Sequence, residues 1–448
     1  MKKWDFLNIF LLTLTIPLFF YKLGQSSLGS WDEAWYGDVA RTLVKTGDLF
    51  HLKFNGYTFY DQPPGGIWIT ATFFKLFGIS ELTARLSSAI LGLFSLYLIY
   101  ILGKVLFNRL VGLGSAFALG SSFWFLSRAR SGNLDIPLVF FLLLTLYLAI
   151  KASQNRKFFI PFCISFAFAL ITKSLLSFAI LPSLVIIFWG SKKYKIKDFF
   201  IFLFSALFLY VVWLVQLYLQ DPFLLYRHFF LSLRGSTLQN NFFHSFQLSQ
   251  NYLHNGIGKW YYPGILGLLI GLFLRQKRFL ILIVFFISYS MPFLFSKEVQ
   301  IWHLIPLYPF LILMFFGGIY VIFSKLSRKF AYVFILSFAI YYSFIQFRAA
   351  WYQFIDIPPY ISDEDILSRE AAKYEGKIVI DGDFDPAGAF YSGRAVRKLL
   401  DPSLKHFIDT QDNFLLITNT WRLEGQKIDP KTYEIIKQDR DKVLVRKK

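Results

Sequence analysis

The chain has 448 residues, 55% of them apolar and 20% aromatic, with 55 phenylalanines and a net charge of +19. A soluble domain of this length carries far less apolar material, and the excess here falls in runs of about 20 residues, the length that crosses a bilayer. The basic residues sit between those runs, a positive-inside pattern that argues against nucleic acid as partner. The single cysteine, Cys163, excludes an internal disulfide and a cysteine-cluster metal site.

In chain order, about eleven spans are expected, at 6–23, 84–106, 110–127, 134–150, 158–172, 174–190, 198–219, 261–274, 279–296, 301–323 and 329–347. The N-terminal run has no small-residue cleavage site, so it reads as a first span and not as a signal peptide. Connections rich in cations, from Lys2 and Lys3 through to Lys325, Arg328 and Lys329, alternate with connections that hold Asp135 and Glu298. The cationic side belongs in the cytoplasm. Segments 24–83, 220–260 and 348–448 are then outside, and the chain is a multi-pass protein of the inner (plasma) membrane.

Within the first outer segment, Trp31, Trp35, Val39 and Leu43 recur every four residues, which predicts a helix lying on the membrane surface. A second apolar stretch, 67–77, follows the turn at 61–66. The tail changes character after residue 352. Its short alternating stretches, 377–381 and 414–418, predict a small soluble α/β domain over 353–448, distinct from a transmembrane module over 1–347. The expected fold class is mainly α: a polytopic helical membrane protein with a small extracytoplasmic α/β C-terminal domain.

Asp32 and Glu33 follow the first span, and Asp135 opens the fourth. The topology places all three at one membrane boundary, where a carboxylate is costly unless it has a partner or a task. One task is to take a proton from an acceptor hydroxyl or to stabilise a developing positive centre. The alternative is pairing with Arg128, Arg130 or Arg41. Lys173 interrupts the apolar stretch between the fifth and sixth spans and is a candidate to hold the phosphate of a lipid carrier; the alternative is a snorkelling turn lysine. Arg234 and Lys259 in 220–260 are further phosphate candidates, or solvated loop cations.

Asp61 with His244, His254 or His303 makes a candidate divalent-metal site, with Asp61 and His254 as its core. The spacing matches no tight ligand motif, and these side chains serve equally as polar loop residues or donors to substrate. Trp260-Tyr261-Tyr262 reads as an interfacial aromatic belt. Gly65-Gly66 reads as a turn feature and not as a phosphate-cradling loop.

The run from Trp31-Asp32-Glu33-Ala34-Trp35-Tyr36 to Asp38-Val39-Ala40-Arg41, then Thr46-Gly47-Asp48, Asn55-Gly56 and Tyr60-Asp61-Gln62-Pro63-Pro64, resembles the first outer loop of the protein mannosyltransferase and lipid A aminoarabinose transferase superfamily. These are glycosyltransferases of the C-type (GT-C) fold. Asn133-Leu134-Asp135, Thr172-Lys173-Ser174, Trp260-Tyr261-Tyr262-Pro263 and His303-Leu304-Ile305-Pro306 resemble later motifs in the same order. The resemblance implies a polyprenyl-phosphate sugar donor and a cavity at the outer membrane face. It assigns Asp32 the essential catalytic position, with Glu33 beside it and Asp135 in support, and puts Lys173 near the donor phosphate, with Tyr36, Asp61 and His303 among the substrate contacts. The aminoarabinose transferases usually read Glu-Lys-Pro-Pro where this chain has Asp61-Gln62-Pro63-Pro64.

The expected function is therefore transfer of a hexosyl or pentosyl unit from a polyprenyl-phosphate carrier to an envelope acceptor (lipid A, another glycan or protein) in the lipid bilayer. A flippase of lipid-linked glycans is the alternative. A non-catalytic relative that uses its tail as a partner-binding module is a third reading.

Overall fold

A computed structural model describes residues 12–189, 193–234, 242–296, 299–382, 385–400 and 403–448; for Ser174, 230–234 and Asp385 it describes the backbone only. The chain folds as two compact units. The first comprises Met1–Lys22, Tyr60–Gly66 and Leu86–Ile357, and the second Leu23–Phe59, Ile67–Arg85 and Pro358–Lys448.

The first unit is helical. Among the described residues seven helices are long and apolar enough to cross a membrane, and an eighth crossing results if Arg109–Ser121 and Phe123–Ala129, bent by 70°, count as one span. The other expected spans take different forms. Residues 6–11 of the first lie outside the described residues, and its remainder carries the short helix Ile16–Phe20. The fifth is the 15-residue helix Phe159–Lys173, which at about 1.5 Å per residue falls short of a hydrocarbon layer about 30 Å thick. The sixth is a 3₁₀ segment, Ser174–Ile180, and the eight-residue helix Leu181–Phe188. The expected loop 220–260 is largely helix. Pro222–Arg234 is one element, and Phe242–Leu274 is a 33-residue helical stretch that runs into the eighth span.

The helix Tyr308–Leu326 is the centre of this unit, apolar on every side from its start and buried from Tyr308 to Ile319. Tyr261–Leu274 packs on it through Gly267, where a Cβ would fall 2.2 Å from the Phe315 amide nitrogen. Small residues permit such backbone approach in a bilayer, where apolar surface alone gives little drive to associate. At the 70° bend the exposed backbone finds partners inside the protein. Gln346 donates to Ser121 O at 3.1 Å and Ile257 O at 3.3 Å and accepts the Lys259 amide at 3.0 Å, while Trp260 donates to Ser121 Oγ at 2.8 Å. In hydrocarbon, a break in a helix persists only where its freed groups are satisfied in this way. By contrast Ile196–Gln220 exposes Phe200, Phe204, Phe208, Val211 and Val215, a face suited to lipid chains.

The second unit holds a five-stranded sheet. Its order is Val396–Lys398, Lys377–Ile380, Phe414–Asn419, Lys442–Lys447, Tyr433–Asp439; the first three strands are parallel and the last two form an antiparallel hairpin. The strands at 377–381 and 414–418 are thus as expected, and the hairpin is additional. The same unit includes Asp32–Thr46, the two-residue strands Lys53–Phe54 and Tyr57–Thr58, and most of Gly65–Phe77. The compact unit that contains the tail therefore reaches back to Leu23, where the sequence suggested a boundary at 353. The reason is close packing: Gly37 faces Phe390, whose ring a Cβ would meet at 3.1 Å, and Asn55 pairs with the edge strand through Val396 N at 2.7 Å and Val396 O at 2.9 Å. Asn55-Gly56 turns the small hairpin with positive φ at both residues.

Candidate functional site

In the first unit, three stretches singled out in the sequence meet. Asn133 Oδ1 accepts the amides of Asp135 and Ile136 at 2.9 and 3.2 Å. This cap starts the helix Asp135–Gln154 and fixes Asp135, buried, at its first position, where the helix dipole favours a carboxylate. Both Asp135 oxygens are engaged by cations. Arg128 donates to Oδ2 from Nε at 3.1 Å and from Nη2 at 2.7 Å, and Lys173 Nζ donates to Oδ1. The Arg128 guanidinium also lies over Trp302, 5.1 Å from the ring centre.

Lys173 ends the helix Phe159–Lys173 with φ −146° and ψ 36°, after which the chain tightens into the 3₁₀ segment. Its ammonium leaves at this break and turns inward to Asp135, so it is not a snorkelling lysine. One carboxylate between two cations leaves a fixed positive charge in a largely desolvated place, a field that favours a phosphate.

Loop 60–66 lies against this cluster. A Cβ on Gly65 would fall 2.9 Å from Ile171 O, and one on Gly66 2.4 Å from Leu134 Cδ2. Gly65-Gly66 is therefore more than the expected turn: the pair opens the helix Gly65–Phe77 and lets its backbone reach the residues beside Lys173 and Asp135. Asp61 precedes it, half-buried, and burial raises its carboxyl from 3.8 to about 6. Tyr60 O accepts from His228 Nδ1 at 2.8 Å, which leaves Nε2 facing the Tyr210 hydroxyl at 3.3 Å. Burial lowers the His228 pKa, so the ring is neutral at pH 7.

His303 stands within electrostatic reach of Lys173, Asp135 and Arg128. Its ring stacks on Phe293 at 5.9 Å, and Nδ1 accepts the Gln300 amide at 3.3 Å. Other expected contacts are placed differently. Lys259 has an exposed side chain, and its amide serves the Gln346 network. His244 and His254 are exposed on the helix Phe242–Ile257, where His254 meets Tyr261 and Tyr262 edge-on at 5.0 and 5.4 Å. The Arg234 side chain lies outside the described residues. No group of three or more His, Cys, Asp or Glu side chains is placed to hold a metal ion among the described residues. Among the described residues the candidate pair Asp61 and His254 therefore has no third ligand of these types.

In the second unit, Asp32 is half-buried at the first position of Asp32–Thr46. Glu33, expected beside it as a catalytic carboxylate, is held on both oxygens: Arg85 Nε and Nη2 donate to them at 2.8 and 2.9 Å, and the Gly29 amide donates at 2.8 Å. Arg41, one expected partner of these acids, holds Asp38, and Arg130 donates to the carbonyls of Leu18 and Tyr21 at 2.8 Å each. Tyr36 stacks on Trp35 at 6.1 Å and meets Phe59 edge-on at 6.4 Å. Arg85, His228 and Tyr391 were not singled out in the sequence. An arginine at the very start of the expected span 84–106 is the signal that was available for Arg85.

The sequence profile of the dolichyl-phosphate-mannose-protein mannosyltransferase family matches residues 61–218. An uncharacterized protein of Aquifex aeolicus is 32% identical over 185 residues, 40% of this chain and 37% of that protein. An undecaprenyl phosphate-alpha-4-amino-4-deoxy-L-arabinose arabinosyl transferase of Aeromonas salmonicida is 33% identical over 89 residues, 20% of this chain and 15% of that one. The matched stretches thus span well under two thirds of these relatives' own length. ArnT of Cupriavidus metallidurans, in a crystal structure with undecaprenyl phosphate, superposes with a TM-score of 0.75 at 14% identity, over 99% of this chain and 98% of that one. The chain has that fold.

Proposed function

We propose that this chain, whose resemblance to the mannosyltransferase and aminoarabinose transferase superfamily holds in sequence and in fold, is a glycosyltransferase that takes its sugar from a polyprenyl-phosphate carrier. The acceptor is an envelope glycan, lipid A or protein, reached at the outer face of the plasma membrane, with the soluble α/β unit on that side. The observation that carries the reading is the Arg128–Asp135–Lys173 cluster beside loop 60–66. It supplies positive charge at the end of a broken helix, as the departing phosphate of a lipid carrier requires.

The acceptor oxygen attacks the anomeric carbon as the bond from that carbon to the carrier phosphate breaks. The carrier leaves with the bonding electron pair as a phosphate with one added negative charge. Lys173 and Arg128 stabilise that charge, and Asp135 keeps both cations in place. Asp32 takes the hydroxyl proton, or acts electrostatically where the acceptor is already an anionic phosphate. One displacement inverts the anomeric centre. His303, within electrostatic reach of Lys173 and Asp135, is a further substrate contact.

Purified Asp32→Asn and Lys173→Ala variants, assayed for transfer of radiolabelled sugar from polyprenyl phosphate, test the assignment. Loss of transfer in folded protein is expected; normal turnover in both would end the proposal. Movement of labelled lipid across vesicles without a new glycosidic bond would mark a flippase.

A further inference from the structure

Residues 23–29 lead into the helix that begins at Asp32, and backbone groups of Leu23, Ser26, Ser27, Leu28 and Gly29 are held by side chains or backbone from elsewhere in the second unit. Arg85 is 7% exposed. Its five N–H groups all donate: Nε and Nη2 to Glu33, Nη1 to Leu23 O and Ser26 O at 2.9 Å each, and the other Nη2 hydrogen to Ser27 O at 2.9 Å. The planar fork of arginine suits such a set, and lysine, with one donor centre, does not.

The tail grips the same stretch from its own elements. Ser27 Oγ donates to Asp365 Oδ2 at 2.6 Å and accepts the Ser362 amide at 3.0 Å, and the Ser27 amide donates to Tyr360 O at 2.9 Å. The Leu28 amide donates to the Tyr391 hydroxyl at 2.6 Å. The grips are linked to one another. Arg369 pairs with the second Asp365 oxygen, donates to Glu81 at 2.6 Å and lies over the Tyr391 ring at 4.6 Å. Glu81 and Arg85 are one turn apart on the same helix.

The helix that this stretch introduces has no side-chain cap of its own, since Trp31 occupies the N-cap position. Its start is therefore fixed by the strap before it. We infer that Arg85 of the Glu81–Leu106 helix and Asp365 and Tyr391 of the tail are positioning residues for Asp32: they hold residues 23–29 so that its carboxylate is presented in one place. The inference rests on the catalytic reading of Asp32. It gives the tail a part in transfer itself, where the sequence left open a separable partner-binding module.

The test uses the full chain and a polyprenyl-phosphate sugar donor. Tyr391→Phe removes a single hydroxyl and keeps the ring; Arg85→Lys keeps the charge and loses the fork. Each is expected to lower kcat by about 10- to 100-fold, the cost of displacing a reacting group by a fraction of an ångström to an ångström, with the donor KM unchanged per folded molecule. Because the effect passes through Asp32, Asp32→Asn/Tyr391→Phe is expected to be no slower than Asp32→Asn alone. Wild-type kcat in Tyr391→Phe and in folded Arg85→Lys, or a full further loss in the double variant, would overturn the inference while leaving the role of Asp32 intact. Normal turnover in Asp32→Asn would overturn the underlying reading instead.

Discussion

Replacing Lys173 by alanine removes one of two cations on Asp135 and leaves the other. Arg128 keeps its contacts to Oδ2 at 3.1 and 2.7 Å, so the buried carboxylate stays compensated and the fold should survive in detergent. The lost part is a charge-assisted contact to the departing phosphate, worth about 1.5–3 kcal/mol, or about 10- to 150-fold in kcat/KM. Asp135→Asn is the contrasting change. It leaves two buried cations with no anion between them, and breaking such an arrangement costs about 3–5 kcal/mol of stability. Thermal unfolding and transfer kinetics on the same preparations separate the two: Lys173→Ala loses rate and little stability, and Asp135→Asn loses both. Lys173→Ala with unchanged kcat/KM, or Asp135→Asn as stable as wild type, would refute the electrostatic account of this cluster.

Other outcomes follow from neighbouring groups. Between about pH 4 and pH 6 the native Asp61 carboxyl keeps a proton that the unfolded one has lost, so stability falls as pH rises through that window. The full penalty at pH 7 is at most about 3 kcal/mol, and in Asp61→Asn the slope should disappear in unfolding measured across that range. Gly65→Ala places a Cβ against Ile171 O; displacement of loop 60–66 is expected at about 1–3 kcal/mol, read as a lower unfolding temperature with reduced transfer. Gln346→Ala leaves the Ser121 and Ile257 carbonyls without their donor at the bend, and a loss of about 1–3 kcal/mol is expected in the same unfolding assay.

Much of the architecture was legible because bilayer spans write themselves as long apolar runs. Asp32, Asp135, Lys173 and the Asp61 loop stood out as polar interruptions beside those runs, and Asp135 and Lys173 prove to be bonded to one another. What the pattern did not carry was continuity and partnership. The helix break at Lys173 replaces two expected spans with short segments, since apolar content does not record where an α-helix tightens to 3₁₀. Helix Phe242–Ile257 reads as loop because it is amphipathic, with Ser245, Ser249 and Leu253 on its buried side. The Glu33–Arg85 pair was not legible, because its members are 52 residues apart in sequence. The attachment of residues 23–29 to the tail spans more than 330 positions and leaves no local signal.

The central claim is tested most directly by incubating membranes that hold the wild type or Asp32→Asn with a radiolabelled polyprenyl-phosphate sugar and an envelope acceptor extract. Label should pass to an acceptor with wild type alone, and the labelled product identifies that acceptor. Equal transfer by Asp32→Asn, or lipid-linked label that crosses the bilayer with no glycosidic product from any sugar in a panel, would contradict the assignment.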